Sequence, residues 1–498
     1  RRIYVEAMVD YNRTFGRHDV NAMLLYNQDE LVNNVPGNNL INSLPKRKQG
    51  LAGRLSYAYD GKYMAEVNMG YNGSENFAKG HRWGFFPSIA LGYNISEESF
   101  FEPLRKVITS MKLRGSWGLV GNDQIGGERF IYMPTINLSG KGFTTGIDQN
   151  YGLSGPVYTR YENNSITWEV GEKINLGIDL QLLNSLNIVV DIFRETRRDI
   201  FQKKGTIPTY LGTGNTDVFG NLAEMKNQGL DLSIDYNKAF SKDFYMNFKG
   251  TFTYAHNEIT KYDEAPKYAF QSKVGQSANV SQGYLSNGLF LDEAEIDRYN
   301  QQMGSTLGAG DIKYLNVSNM HGYGDDIVDV DDWTWIGNPT VPEIVYGFGP
   351  SFKYKNWDFS FFFQGVAKTS LFMSGFHPFG DNSLRNVLQF VANDRWSPTN
   401  QNVDAKYPRL TRKTSLNNTN PGNSGRTSDY WMRDGSFLKL KNMELGYTFK
   451  RMRFYISGSN LLTFSKFDLW DPEQGGGSGL KYPTQRVFNV GFQMTFNN

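Results

Sequence analysis

Near the C-terminus every second residue is large and apolar: Phe488, Val490, Phe492, Met494 and Phe496. Asn489, Gly491, Gln493 and Thr495 stand between them. Successive residues of a strand point to opposite faces, so this run predicts a strand with one apolar and one polar face. The pattern recurs along the chain. Ile174, Leu176, Ile178, Leu180 and Leu182 alternate with Lys173, Asn175, Gly177, Asp179 and Gln181. Phe244, Met246, Phe248, Phe252 and Tyr254 alternate with Asn247, Lys249, Thr251 and Thr253, and Trp357, Phe359, Phe361 and Phe363 with Asp358, Ser360 and Gln364. Leu51, Leu55, Tyr57 and Tyr59 lead into Tyr63, Ala65, Val67, Met69 and Tyr71. Further strands are predicted near Ile3, Val20, Phe85, Met111, Leu186, Leu230, Tyr346, Leu438 and Phe454.

The connections sort into two kinds that alternate. Compact ones are predicted at Asn12 to Arg17, Asp60 to Lys62, Ser96 to Thr109, Asn184 to Ser185, Lys238 to Asp243, Lys355 to Asn356 and Lys450 to Arg451. Pro103 and the apolar positions after it predict a short helix in the third of these. Long ones are predicted at 27–47, 120–165, 195–228, 257–340, 369–428 and 463–484, with a shorter one at 73–82. Short turns on one rim and long loops on the other are the organisation of bacterial outer-membrane barrels. Such loops count against a compact soluble domain. The count is about 15 strands, and an odd number is unexpected for a single-chain bacterial barrel. The expectation is therefore that further strands and an N-terminal region precede residue 1.

Composition narrows the reading. No stretch approaches the roughly 20 apolar residues of a spanning helix, so any membrane role rests on strands. Aromatic residues make up 15% of the chain and there are 52 glycines, a mixture suited to strands and turns. The absence of cysteine excludes disulfide and thiolate chemistry. A net charge of +2 offers no bulk electrostatic reason to bind nucleic acid.

Several short stretches carry a family resemblance. They include Phe85-Phe86-Pro87-Ser88 with Leu91-Gly92-Tyr93, Leu113-Arg114-Gly115-Ser116-Trp117-Gly118 with Gly121-Asn122, and Lys173-Ile174-Asn175-Leu176-Gly177 after Trp168-Glu169. Later come Asn227-Gln228-Gly229-Leu230-Asp231, Ile336-Gly337-Asn338-Pro339, Arg395-Trp396-Ser397-Pro398, Asp434-Gly435-Ser436-Phe437-Leu438-Lys439-Leu440-Lys441-Asn442 and Gly458-Ser459-Asn460-Leu461. In this order they resemble the SusC/RagA-like branch of TonB-dependent transporters of the Bacteroides group. The resemblance implies an all-β, antiparallel transmembrane β-barrel in the bacterial outer membrane. Residues 1–498 would be its C-terminal part, about 15 strands of a barrel of about 22, with the plug domain outside this chain. It implies import of oligosaccharides, with a SusD-like surface lipoprotein as lid and TonB acting through an N-terminal region outside this chain. The lid would dock on the loops 120–165, 257–340 and 369–428. Peptides or a metal chelate are the alternative cargo. A surface enzyme or adhesin on a soluble β-fold is the distant alternative.

The resemblance also implies a calcium-type acidic run in the long loop 290–340. His321 to Asp332 aligns with it at its end, placing Asp325, Asp329 and Asp332 at ligand positions. His321 and Tyr323 occupy the first two ligand positions, and Asp326 replaces the central glycine. The competing reading is a solvated acidic loop. No other cofactor is expected. The five histidines lack the paired helical spacing of a zinc hydrolase, and no phosphate-binding glycine loop is present. Glu293, Glu295 and Asp297 are too common a pattern to imply glycosidase chemistry without geometry, so no enzyme is expected. Trp333, Trp335, Trp396, Trp431 and Trp470 lie in or near long loops, where they serve either loop packing or sugar stacking. Arg194, Arg197 and Arg198 read as a solvated strand end; the sequence alone gives no support to a lipopolysaccharide contact there.

Overall fold

The computed structural model describes residues 1–33, 43–125, 129–208, 210, 216–299, 301–302, 307–374, 386–410 and 427–496. Parts of the predicted long loops, with His377, lie outside them. Among the described residues fifteen strands form one sheet, in the order in which they occur along the chain. They are β1 (Arg2–Phe15), β2 (His18–Leu31), β3 (Lys46–Tyr59), β4 (Tyr63–Ser74), β5 (Trp83–Asn94), β6 (Ile108–Asn122), β7 (Glu169–Leu182) and β8 (Leu186–Lys203). Then follow β9 (Phe219–Ala239), β10 (Phe244–Lys261), β11 (Ile344–Tyr354), β12 (Trp357–Ala367), β13 (Phe437–Phe449), β14 (Met452–Ser465) and β15 (Val487–Met494). Pairings from β1 to β8 and from β10 to β15 are antiparallel, as the alternating turns and loops predict. No helix of the described residues is long and apolar enough to cross a membrane.

The chain comprises two compact units: Arg1–Ser233 with Ala255–Ala265, and Ile234–Tyr254 with Pro266–Asn498. In the first, register aligns an apolar row across the strands: Tyr11, Ala22, Leu55, Val67, Ile89, Trp117 and Ile174. A one-residue slip would turn every one of these to the polar face, so the alternation pins the register. The short turns pin it further. In the three-residue turn from Asp60 to Lys62, Asp60 and Gly61 both have positive φ, at 55° and 66°, and Lys62 N–H closes on Tyr59 O at 2.9 Å, so the turn fixes where the β3–β4 ladder begins. In the second unit the corresponding row is Met246, Phe352, Phe359, Leu445, Ile456 and Val490.

These apolar rows are bare. Leu55 is 52% exposed and Val490 88%, and Leu176, the next residue down from Ile174 on the same face, is 63% exposed. Water would not tolerate so large an apolar surface on a monomer, whereas lipid chains are its natural solvent. The buried cores lie instead in the long connections. In the first unit Phe77, Ile125, Ile131, Ile166 and Trp168 form one. In the second, Leu289, Ile312, Met373, Val391, Trp396 and Trp431 belong to a larger one.

The strands outrun the boundaries that alternation marks. The loop expected over 195–228 is shorter, because β8 continues to Lys203 and β9 begins at Phe219. Past the membrane both faces meet water, so hydrophobic alternation ends while the backbone ladder goes on. The connection 120–165 carries its own hairpin, Thr135–Thr145 with Tyr151–Arg160. The short helix near Pro103 is a pair of 3-10 segments, Ile95–Glu97 and Ser99–Leu104.

Leu176 is six residues above the β7–β8 turn, near the middle of the apolar band. Leu176→Lys is expected to destabilise the full-length protein in lipid by about 2–4 kcal/mol. Asn175→Lys, one residue away on the polar face, is expected to cost under about 1 kcal/mol. Equilibrium unfolding in lipid vesicles checks both; equal costs would mean that the apolar face does not meet lipid.

Candidate functional site

On the polar face of the first unit Arg114 reaches across a whole strand. Arg114 on β6 donates from Nη1 and Nη2 to the two carboxylate oxygens of Asp191 on β8, both at 2.7 Å, and from Nε to Asp179 on β7 at 3.0 Å. The pair spans β7, where Gly177 faces both residues in register. A Cβ at Gly177 would lie 2.7 Å from the Arg114 guanidinium carbon and 2.7 Å from Asp191 Oδ1, so only glycine lets the pair lie flat. The second unit repeats the device. Arg453 on β14 donates to Asp358 on β12 and to Glu444 on β13, over Gly446, which stands opposite Asp358. A Cβ at Gly446 would come within 2.5 Å of Asp358 Oδ2.

Beside the second pair lies a depression of about 430 Å³ lined by Asn247, Ser351, Ser360, Asn442, Ser457, Ser459 and Asn489. Phe362 contributes a ring, and Lys249 and Glu444 stand among the lining residues. Glu444 is engaged by Arg453, and Lys249 lies 3.9 Å from Asp235. The surface left is mostly hydroxyl and amide, groups that both donate and accept.

The loop after β14 is anchored to β13 of the same unit. The Lys439 side chain is 1% exposed, and its Nζ donates to Asp471 at 2.6 Å and Glu473 at 2.8 Å. Lys441 reaches Glu473 at 2.7 Å. Burial works against the charged form of both carboxyls, but their hydrogen bonds, Lys439 foremost, outweigh it and hold both below the ordinary carboxylate range. Elsewhere in the second unit, Asp311 is fully buried and receives Arg409 at 2.7 Å; there burial prevails and the carboxyl is pushed up.

The acidic turn is organised differently from a set of three carboxylates. Asp332 is fully buried and accepts from Ser318 N–H at 2.9 Å and Asp329 N–H at 2.8 Å. Asp325 meets it at the Ser318 hydroxyl, which lies 3.0 Å from Asp325 Oδ1, Asp332 Oδ1 and Asn316 Oδ1 alike. Asp329 turns away to cap the short helix Val330–Asp332 through Asp331 N–H. No group of three or more His, Cys, Asp or Glu side chains suited to a metal converges among the described residues. Asn316 and Ser318 escaped sequence reading because they are brought to the acidic residues by the helical turn Val317–Met320, which Asn316 caps and Ser318 belongs to. His321 and Tyr323 leave the turn to stack on Phe270 and Tyr268, at 4.6 and 4.2 Å between ring centroids.

The loop tryptophans pack rather than present open faces. Trp431 is 1% exposed and Trp396 5%, both within the larger core. Trp335 donates to Ser272 O and Trp470 to Gly475 O, each at 2.9 Å. Glu293 and Glu295 are occupied as well, accepting from Ala309 N–H at 3.1 Å and from Leu291 N–H at 2.6 Å.

A bare apolar sheet face, a polar face with flattened ion pairs and structured long connections define an outer-membrane barrel of the transporter class. The sequence model described as "TonB dependent receptor-like, beta-barrel" matches residues 3–461, and the chain belongs to that family. Its relatives place it with the SusC/RagA-like receptors of the outer membrane. It is 28% identical to the TonB-dependent receptor SusC of Bacteroides thetaiotaomicron, over 89% of this chain and 43% of the relative. It is 26% identical to the TonB-dependent receptor P3 of Formosa agariphila, over 89% of this chain and 45% of the relative. The structure titled "Structure of the RagAB peptide transporter" shares the fold, with a TM-score of 0.72 at 20% identity, over 99% of this chain and 56% of that one. The chain thus spans about half the length of the curated relatives it matches.

Lys439→Met leaves Asp471 without its cation and Glu473 with Lys441 alone. The loop 466–484 is expected to lose about 1–3 kcal/mol of local stability, discounted for the partial exposure of Glu473. Because both carboxyls lie low when folded, their contribution is present above the ordinary carboxylate range. It is expected to hold from pH 8 to about 5 and to fall away below about pH 4. Hydrogen exchange of residues 466–484 against pH checks this; a loop equally protected in the variant would refute the anchor.

Proposed function

We propose that the whole protein imports a bulky, uncharged oligosaccharide across the outer membrane, with TonB supplying the energy and a SusD-like surface lipoprotein serving as lid. The observation that carries this reading is the hydroxyl- and amide-rich depression on the polar face of the second unit. A sugar presents many hydroxyls that both donate and accept, and serine and asparagine answer both roles at one position. Phe362 adds an apolar face. The charged groups beside the depression are engaged with one another, which favours a neutral cargo over an ionic one. The family is one of transporters rather than enzymes, so no catalytic residue is assigned. A peptide cargo is the second reading, and the fold shared with the RagAB peptide transporter is compatible with it.

A strain lacking the gene is expected to lose growth on one class of oligosaccharide and to keep growth on peptides. Ser457→Leu with Asn489→Leu, in an otherwise intact receptor, is expected to lower uptake at least tenfold without lowering the amount of assembled barrel. Loss of growth on peptides alone would overturn the sugar reading. A pull-down of the intact receptor is expected to recover a SusD-like lipoprotein.

A second proposal concerns the acidic turn. One hydroxyl proton at Ser318 serves only one of the three oxygens that lie 3.0 Å from it. A calcium ion there would neutralise Asp325 and Asp332, with Asn316 and Ser318 as uncharged oxygen ligands. Calorimetric titration of the full-length protein with calcium is expected to give binding that Asp332→Ala abolishes and Asp326→Ala leaves intact. Heat no greater than dilution would refute the site.

A further inference from the structure

Three arginines within five residues of β8 separate onto two faces. Arg197 lies on the polar face and donates to Glu195 at 3.1 Å. Arg194 and Arg198 lie on the apolar face, in the series Leu186, Ile188, Val190, Ile192. Register makes the placement plain. Arg194 stands opposite Ile174, which stands opposite Trp117, so the apolar row of the first unit ends on a guanidinium. The neighbours are lipid-facing residues: Ile192 is 61% exposed and Ile174 42%. The Arg194 side chain is exposed and makes no hydrogen bond, ion pair or ring contact among the described residues.

An unpartnered arginine on this face is tolerated only near the edge of the hydrocarbon. Arg194 is eight residues above Leu186, about 26 Å of strand, or about 20 Å along the membrane normal at the usual tilt. That height is close to the long-loop edge of an apolar band about 25 Å tall. Trp117 in the same row, and Trp83 stacked on Tyr71 at 4.8 Å, are the aromatic residues that mark such an edge. The long-loop rim faces outward, so the edge is that of the outer leaflet.

Arg198, two steps higher on the same face, leans down to Glu172 at 3.5 Å, and Trp117 Nε1–H donates to the same carboxylate at 2.9 Å. Glu172 balances one arginine, and the cluster keeps one positive charge in surplus. Arg194 and Arg198 are about 13 Å apart along the strand. Each has the reach to bring its guanidinium to the level of Thr196 between them. Two planar forks meeting there match the oxygens of a phosphate group.

We propose that Arg194 and Arg198 bind a phosphate of a phosphorylated glycolipid of the outer leaflet, lipid A in chemical class, with Trp117 beside it at the interface. Glu172 orients Arg198 and, as a carboxylate, keeps the surplus to one charge. Near the same rim Arg47 is engaged by Glu30 at 2.8 Å and Arg197 by Glu195. The site therefore depends on Arg194.

The test uses the full-length receptor, delipidated in mild detergent and titrated with purified phosphorylated lipid A under native mass spectrometry. Wild-type protein is expected to retain bound lipid, and R194Q/R198Q to retain at least fivefold less. R197Q, altered on the opposite face, is expected to behave as wild type. Chemically dephosphorylated lipid A is expected to bind wild type no better than phosphorylated lipid A binds the double variant. Heat-modifiable migration on gels verifies that each variant is a folded barrel; should the double variant not assemble, R194Q alone carries the comparison with R197Q, with at least a twofold loss. Equal retention by wild type and the arginine variants, or equal binding of the dephosphorylated lipid, would overturn the proposal.

Discussion

A strand that crosses hydrocarbon finds no water for its N–H and C=O groups, so a neighbouring strand must satisfy every one of them. The rest of this structure follows from that requirement. Strands from β1 to β8 pair each with the next along the chain, and so do those from β10 to β15. Once the backbone is satisfied, the side chains are free to divide between two solvents. The usual inside-out relation of a soluble protein is then reversed. Leu176, Ile192 and Val490 are exposed on the sheet because lipid covers them, while tightly packed apolar clusters form where the chain leaves the membrane and meets water.

The ladder also limits what the polar face can carry. Neighbouring strands are about 4.8 Å apart, so an arginine paired two strands away must pass over the strand between. Gly177 beneath Arg114 and Asp191, and Gly446 beneath Arg453 and Asp358, remove the Cβ that would block the passage. The two stretches read alike: Asn175-Leu176-Gly177-Ile178-Asp179 and Glu444-Leu445-Gly446-Tyr447-Thr448. In each a leucine faces lipid and the next residue is the gap. Ion pairs in such partly hydrated places add little stability. Their effect is to lay charge flat and spend it internally, which leaves neighbouring serines and asparagines as the open chemistry of that face.

This division explains what sequence reading reaches and where it stops. Strand positions were legible because the lipid enforces alternation on one face at every step. Where the strands leave the lipid the constraint ends, so Glu195 to Lys203 reads as loop although β8 runs through it. The turn near Asp332 was half legible. Its acidic spacing is visible, but its actual partners, Asn316 and Ser318, sit at the start of a helical turn that no fixed spacing encodes. The loop tryptophans were ambiguous in sequence because packing and stacking demand the same residue; only burial separates them, and Trp396 and Trp431 are buried. Arg194 and Arg198 were visible as charge, but not as charge on the lipid side, since that depends on register against Ile174.

The long connections of the second unit are held by a different physics from the strands they join. Their apolar core is excluded from water in the ordinary way, and its rim is set by paired charges such as Asp311 with Arg409 and Lys439 with Asp471 and Glu473. Lys439 sits on β13 itself, so the ladder supplies the cation and the loop supplies the anions. A loop anchored in this manner can change its apolar contents and its outward surface without altering a single strand pairing. Sequence change in the connections is then uncoupled from the ladder, while the lipid-facing rows remain under the one constraint that lets them exist in a membrane.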